Sequence, residues 1–287
     1  MNRRDFTLSC LGTLAAASLG GVAPQVLAAG ASGQRPAANY LPAGTKASTS
    51  GKPHIAFVLY EGMTALDLIG PAEVLAGEQF DVDFVWYDKE VVYAESRANK
   101  RLGLMPTATF AEIEQTNILC VPGTSNPYKQ LERTEMIDWV ARVGAKADWV
   151  TSVCTGSFIL GAAGLLKGYK ATSHWGVLQD LRYFGAEPVV DRVVHDRNRV
   201  TGAGVTSGID FGLLLLSLLT DEQTARGKQL VLEYDPHPPF SSGSPKLASP
   251  ALLEAVRGGY MDYLQAVAPN SRSQLQALAS NLGIKHP

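Results

Sequence analysis

The run His-Ile-Ala-Phe-Val-Leu-Tyr at 54–60 is apolar on both alternating sets of side chains after its first residue. A strand built from it needs cover on both faces, which is the condition of a parallel sheet sandwiched between helices rather than of a half-solvated antiparallel one. The segments that follow are consistent with this constraint. Helical spacing is read over 65–76, strand over 82–87 and strand over 118–121, the last ending in Pro122-Gly123. Residues 132–145 repeat at helical spacing through Met136, Ile137, Val140 and Val143. A strand over 149–153 then runs straight into a small-residue helix over 155–166. A short strand near 171–173, a helix over 176–184, a hairpin over 189–201 and a long apolar helix over 207–219 complete the pattern. Strands alternating with helices specify an α/β fold whose sites lie at the carboxyl ends of the strands.

At one of those ends the sequence places a thiol. In Thr151-Ser152-Val153-Cys154-Thr155-Gly156-Ser157 the cysteine separates a buried strand from a helix, among neighbours small enough for a sharp turn. This is the pattern of a nucleophile elbow with cysteine in the serine position. The helix N-terminus that such a cysteine faces favours thiolate, so a lowered thiol pKa is expected. Free backbone N–H groups at the same end are expected to hold developing negative charge. Cys120, in mid-strand between Leu119 and Val121, reads as an ordinary core thiol.

A thiol nucleophile needs a group that moves protons. Asp67 lies just beyond the first strand with Ala65, Leu66, Leu68 and Ile69 around it, either as a solvated loop residue or as a desolvated acid–base group with a raised pKa. Because the first strand of a doubly wound sheet usually lies centrally, its end and that of the Cys154 strand are expected to be close. His174, followed by Trp175, reads either as a structural hydrogen-bonder or as a Cys–His partner. His195, in a polar hairpin, and His237, between prolines, read as surface residues.

These residues carry a wider resemblance. The stretches Leu66-Asp67-Leu68-Ile69-Gly70-Pro71, Val150 to Ser157, Leu160-Gly161-Ala162-Ala163-Gly164-Leu165-Leu166, Ala171-Thr172-Ser173-His174-Trp175, Gly208-Ile209-Asp210-Phe211 and Leu232-Glu233-Tyr234 with Pro238-Pro239-Phe240 resemble the ThiJ/PfpI superfamily, in particular its isonitrile-hydrating branch. The resemblance implies a flavodoxin-like three-layer sandwich with a mostly parallel central sheet, spanning 53–242. It implies Cys154 as nucleophile, Asp67 as acid–base carboxylate and Thr155 as a supporting residue. Gly123 and Thr124 would bind the substrate's charge, with His174 in support. The implied reaction is a lyase-type hydration of an isonitrile to an N-substituted formamide, with no metal or organic cofactor. The turn Pro122-Gly123-Thr124-Ser125 departs from relatives that carry a second glycine there. The superfamily's proteases place His directly after the nucleophile, where this chain has Thr155, and glutamine amidotransferases need a His-x-Glu pair that His174-Trp175-Gly176 does not supply. Action on another small electrophile, or a non-enzymatic thiol redox sensor, is the alternative.

The N-terminal region reads as an address rather than as part of the fold. Arg3-Arg4-Asp5-Phe6, an apolar run over about 8–22 and Val26-Leu27-Ala28 resemble a twin-arginine signal peptide over 1–28, which implies a periplasmic or secreted protein. Gly12, Gly20 and Gly21 interrupt the apolar run, and it falls short of the roughly 20 residues of a spanning helix, so no stable membrane anchor is expected. Residues 29–52, rich in Ala, Gly, Ser, Thr and Pro, read as a linker. Residues 243–287 form a tail whose helix, over about 252–266, is a lid or a dimer contact; a homodimer is the expected assembly. With 25 Lys and Arg against 27 Asp and Glu, a net charge of −2 gives no field to attract nucleic acid or an anionic membrane. A small-molecule substrate is the partner expected.

Overall fold

A computed structural model describes residues 51–95 and 101–285. The expected signal peptide, and the linker through residue 50, lie outside these residues. A seven-stranded sheet organises the chain. Its strands are β1 (His54–Val58), β2 (Asp81–Trp86), β3 (Ala108–Thr109), β4 (Ile118–Val121), β5 (Trp149–Val153), β6 (Val193–Asp196) and β7 (Arg199–Gly202). They lie in the order β6-β7-β5-β4-β1-β2-β3. Every pairing is parallel except the β6/β7 hairpin. Ile55 through Tyr60 are fully buried, as the uninterrupted apolar run requires.

Helices cover both faces. On one side α1 (Ala65–Leu75) packs on α4 (Ser207–Leu219), backed by α5 (Glu222–Val231); on the other lie α2 (Thr134–Gly144) and α3 (Gly156–Ala162). The α1/α4 seam is close because small residues form it. A Cβ on Gly70 would meet the Ile209 side chain at 3.3 Å, and one on Gly212 would meet Val74 at 2.9 Å. Trp139 of α2 is buried, and its indole N–H donates to the carbonyls of Phe110 and Ile113. Fully burying a large apolar side chain contributes roughly 1.5–3 kcal/mol. The core in which Phe57, Phe158, Phe184 and Phe211 are all fully buried is therefore ample to hold a strained turn at its edge.

Two sequence expectations are refined. The helix expected over 176–184 is a 3-10 helix, Leu178–Phe184, ending on Gly185 with φ of 72°. The C-terminal segment carries two helices, α6 (Pro250–Val267) and α7 (Ser271–Asn281), not one. Leu264, Leu275 and Ala279 pin them to the body, and the Gln274 side-chain amide donates to the Tyr128 carbonyl at 3.0 Å. Among the described residues no helix is long and apolar enough to cross a membrane.

Candidate active site

β1, β4 and β5 are adjacent, so the turns leaving their carboxyl ends converge. Cys154 forms the first of these features. It leaves β5 with φ of 57°, one of three described non-glycine residues at positive φ. Such a conformation costs on the order of 1 kcal/mol or more and persists only where the surroundings impose it. Here the Cys154 N–H donates to the carbonyls of Gly202 (2.9 Å) and Ala203 (2.8 Å), while the Cys154 carbonyl accepts from the hydroxyls of Ser157 and Ser173. Two positions on, glycine is obligatory: a Cβ on Gly156 would lie 2.1 Å from the Val121 carbonyl oxygen. The side chain is thereby held at the mouth of α3 with only 4% of the residue exposed.

Asp67 supplies the second feature, from the first turn of α1. It is completely buried. Oδ2 accepts the Gly123 N–H at 3.0 Å, while Oδ1 has no conventional hydrogen-bond partner. Gly123 is what permits the assembly, since a Cβ there would stand 2.5 Å from the Thr155 nitrogen, 2.8 Å from Asp67 Oδ2 and 2.8 Å from Cys154 Cβ. Thr155 Oγ1 accepts from the Thr124 N–H (2.8 Å) and donates to the Thr124 carbonyl (2.7 Å), fastening the elbow to the turn after β4. The turns after β1 and β4 are laced in the same way, by the Thr64 N–H to the Gly123 carbonyl and the Thr124 hydroxyl to the Gly62 carbonyl.

Burial governs the electrostatics. It pushes the Asp67 carboxyl up to about 8, despite hydrogen bonds from the Gly123 N–H and the Cys154 thiol that favour the charged form; the Glu95 charge pushes it further up. Burial also raises the Cys154 thiol well above its ordinary value, with the Asp67 charge acting in the same direction. This corrects the expectation of a lowered thiol pKa. Backbone N–H groups of Thr155 and Val205 do favour thiolate, but desolvation and a neighbouring carboxylate outweigh them. A second correction concerns the amides expected to meet substrate charge. The Gly123 N–H is committed to Asp67 and the Thr124 N–H to Thr155.

A cavity of about 640 Å³ opens onto Cys154. Thr124 and His174 line it, and so do Thr64, Glu95, Ser125, Trp175, Tyr260 and Tyr263, none of which the sequence reading singled out as site residues. His174 is half-buried, which lowers its pKa; its Nδ1 accepts the Gly176 N–H at 3.2 Å and its ring meets Tyr260 at 5.4 Å. It is a wall residue that bonds to its own loop. Cys120 is fully buried and its thiol is pushed up to about 12, as befits a core residue, and His195 and His237 are exposed. Among the described residues no group of three or more His, Cys, Asp or Glu side chains is arranged to hold a metal ion. A signal for the tyrosines was present in the expected 252–266 helix, where Val256, Tyr260 and Tyr263 share one helical face. Glu95 has no periodic context that marks it.

A sheet in this order, with a cysteine elbow facing a buried carboxyl, defines a thiol-centred α/β protein. The chain belongs to the DJ-1/PfpI family, whose model matches residues 53–218. It is 45% identical over 204 residues to isonitrile hydratase from Pseudomonas putida, covering 71% of this chain and 88% of that one. A crystal structure of a ThiJ/PfpI family protein from Pseudomonas syringae is 41% identical, with a TM-score of 0.70 over 80% of this chain and 91% of the other. Schizosaccharomyces pombe DJ-1, 18% identical with a TM-score of 0.55 over 63% of this chain and all of that one, shares the fold.

Proposed function

We propose that the protein hydrates an isonitrile to an N-substituted formamide, with Cys154 as nucleophile and Asp67 as acid and base. The observation that carries this reading is a fully buried carboxyl fixed at the cysteine elbow through the Gly123 N–H, where burial raises the proton affinity of both the carboxyl and the thiol. An isonitrile's terminal carbon has a lone pair that takes a proton and then an orbital that takes a nucleophile, so it needs an acid and a thiol at one point. Asp67 gives its proton to that carbon and takes the thiol proton as the Cys154 sulfur forms the S–C bond, leaving a thioimidate, R–N=CH–S. Water then adds to the carbon as Asp67 protonates nitrogen and receives a proton from the water. Collapse breaks the S–C bond, the hydroxyl proton returns through Asp67 to sulfur, and R–NH–CHO leaves.

The carboxyl suits this exchange because its two oxygens differ. Oδ2 is fixed by the Gly123 N–H, and Oδ1 is left for the thiol and the substrate. Thr155 acts by positioning, since its hydroxyl joins the elbow to the turn that holds Asp67. The similarity to the Pseudomonas putida hydratase supports the same chemistry. Burial disfavours the Cys154 thiolate through which oxidation runs, which weighs against a redox-sensor role.

Incubating the protein with cyclohexyl isocyanide and measuring N-cyclohexylformamide tests the reading. The expected result is turnover that falls by about a thousandfold or more in Cys154→Ala and survives in Cys120→Ala. Equal rates in the wild-type protein and Cys154→Ala discard the mechanism.

A further inference from the structure

The proton exchange uses only part of the cavity, and the rest of its lining is chemically specific. Glu95 Oε1 accepts the Thr64 hydroxyl at 2.5 Å and Oε2 accepts the Ser125 N–H at 3.0 Å. Ser125 also holds the aromatic wall: its hydroxyl pairs with the Tyr263 hydroxyl at 3.1 Å and its carbonyl accepts from the Tyr260 hydroxyl at 3.4 Å. One residue thus ties a carboxylate and two tyrosines to the same patch of a cavity that also reaches Cys154. The tyrosine rings stack at 6.4 Å with 19° between planes, and Trp175 adds a third ring to the lining.

Among the described residues the charges lining this cavity are one-sided. Among the described residues no Lys or Arg lines it; the guanidinium of Arg257 approaches the Trp175 ring at 6.0 Å but is not part of the lining. Burial lowers the His174 pKa and so favours its neutral form. The Glu95 charge reaches both the reacting centre and the aromatic wall, since it makes the protons of Asp67 and Tyr260 harder to remove. A carboxylate flanked by aromatic faces is the chemistry that recognises an ammonium group, through charge and cation–π attraction combined. A neutral alkyl chain needs no carboxylate, and an anionic one is repelled by it.

We propose that the natural substrate carries a cationic amine, seated between Glu95 and the Tyr260–Tyr263 wall while its reacting carbon meets Cys154. The identity of the reacting group rests on the hydratase reading; the cationic end rests on the cavity alone. The two are separable by experiment. The first arm compares 3-(dimethylamino)propyl isocyanide with pentyl isocyanide. We expect kcat/KM to favour the amine by about tenfold or more, and the ratio to fall to near unity in Glu95→Gln and to drop several-fold in Tyr260→Leu. A ratio near unity in the wild-type protein, or a Glu95→Gln loss equal for both substrates with a shifted pH profile, overturns the proposal, the latter reassigning Glu95 to the tuning of Asp67.

The second arm does not depend on turnover. Binding of cyclohexylammonium, cyclohexanol and cyclohexanecarboxylate to the Cys154→Ala protein is measured by calorimetry at neutral pH. The expected order is cation, neutral, anion, collapsing in the Cys154→Ala/Glu95→Gln double variant. If no isonitrile is consumed but this order holds, the hydratase reading fails and the cation-binding proposal stands. If the three bind alike, the proposal fails whatever the first arm shows.

Discussion

The two walls of the cavity are built to different standards. On the sheet side, Asp67, Thr124, Cys154 and Thr155 are each no more than 5% exposed, and each is fixed by hydrogen bonds to a neighbouring turn. On the other side, α6 runs for 18 residues with Leu264 as its one buried residue, while Val256 is 50% and Tyr263 is 37% exposed. The sheet wall is packed into the core and holds its groups within the narrow tolerances that bond-making needs. The helix wall is held by a few contacts, so its free energy of local opening is expected to be low. Chemistry and selectivity are thereby divided between a rigid part of the molecule and a lightly held one.

The sharpest way to break this division is at Asp67. Asp67→Asn preserves shape and the acceptor for the Gly123 N–H but removes the proton carrier, so isonitrile turnover should fall by about a thousandfold. Stability should move the other way. With the folded carboxyl at about 8 against an ordinary 3.8, the native state binds the more protons between those values. The wild-type protein therefore loses stability steadily as pH rises from about 4 to about 8, and the slope ends above that. Asn carries no proton to lose, so its melting temperature should exceed wild type at pH 8 and lack that slope. Parallel melting curves for the two proteins across pH 4–9 would show that Asp67 titrates normally and would remove the acid–base assignment. The same titration predicts wild-type kcat/KM falling as pH passes about 8.

A smaller loss is expected from Gly123→Ala. The added methyl would stand 2.5 Å from the Thr155 nitrogen and 2.8 Å from both Asp67 Oδ2 and Cys154 Cβ, so the elbow backbone and the Asp67 carboxyl must both yield. Overpacking of this kind costs about 1–3 kcal/mol. Displacing Asp67 from Cys154 by a fraction of an ångström should lower kcat by about a hundredfold with little change in KM. A variant that folds with unaltered kcat shows that the tight sheet wall is not needed for chemistry.

The same contrast explains what the sequence displayed. The sheet and its flanking helices were legible because burial on both faces leaves an uninterrupted apolar run such as 55–60, and the elbow because its turn demands small neighbours at Thr155 and Gly156. Asp67 was noticeable as a lone carboxylate among apolar residues. The direction of the thiol shift was misread, since a sequence shows that a helix begins after Cys154 but not that β4, β5 and α1 exclude water from it. Ser125 and Glu95 were invisible as site residues for a related reason. Their meeting with Tyr260 and Tyr263 depends on where a segment more than 130 residues away returns, as the bonds from Tyr260 and Tyr263 to Ser125 record.

The lightly held wall makes its own, smallest prediction. α6 contains the pair Gly258-Gly259 near its middle, and a Cβ at Gly258 would meet nothing within 4 Å. An exposed mid-helix glycine costs about 1 kcal/mol relative to alanine without any packing need, which keeps the helix easy to fray over the cavity mouth. Gly258→Ala should therefore slow amide hydrogen exchange across 250–267 several-fold while leaving exchange in β4 and β5 unchanged. If the wall must open to admit substrate, kcat/KM falls by about twofold while the bond-making rate in single turnover stays constant. Unchanged exchange in 250–267 would mean that α6 is held as firmly as the sheet, and the division of labour between the two walls would lose its physical basis.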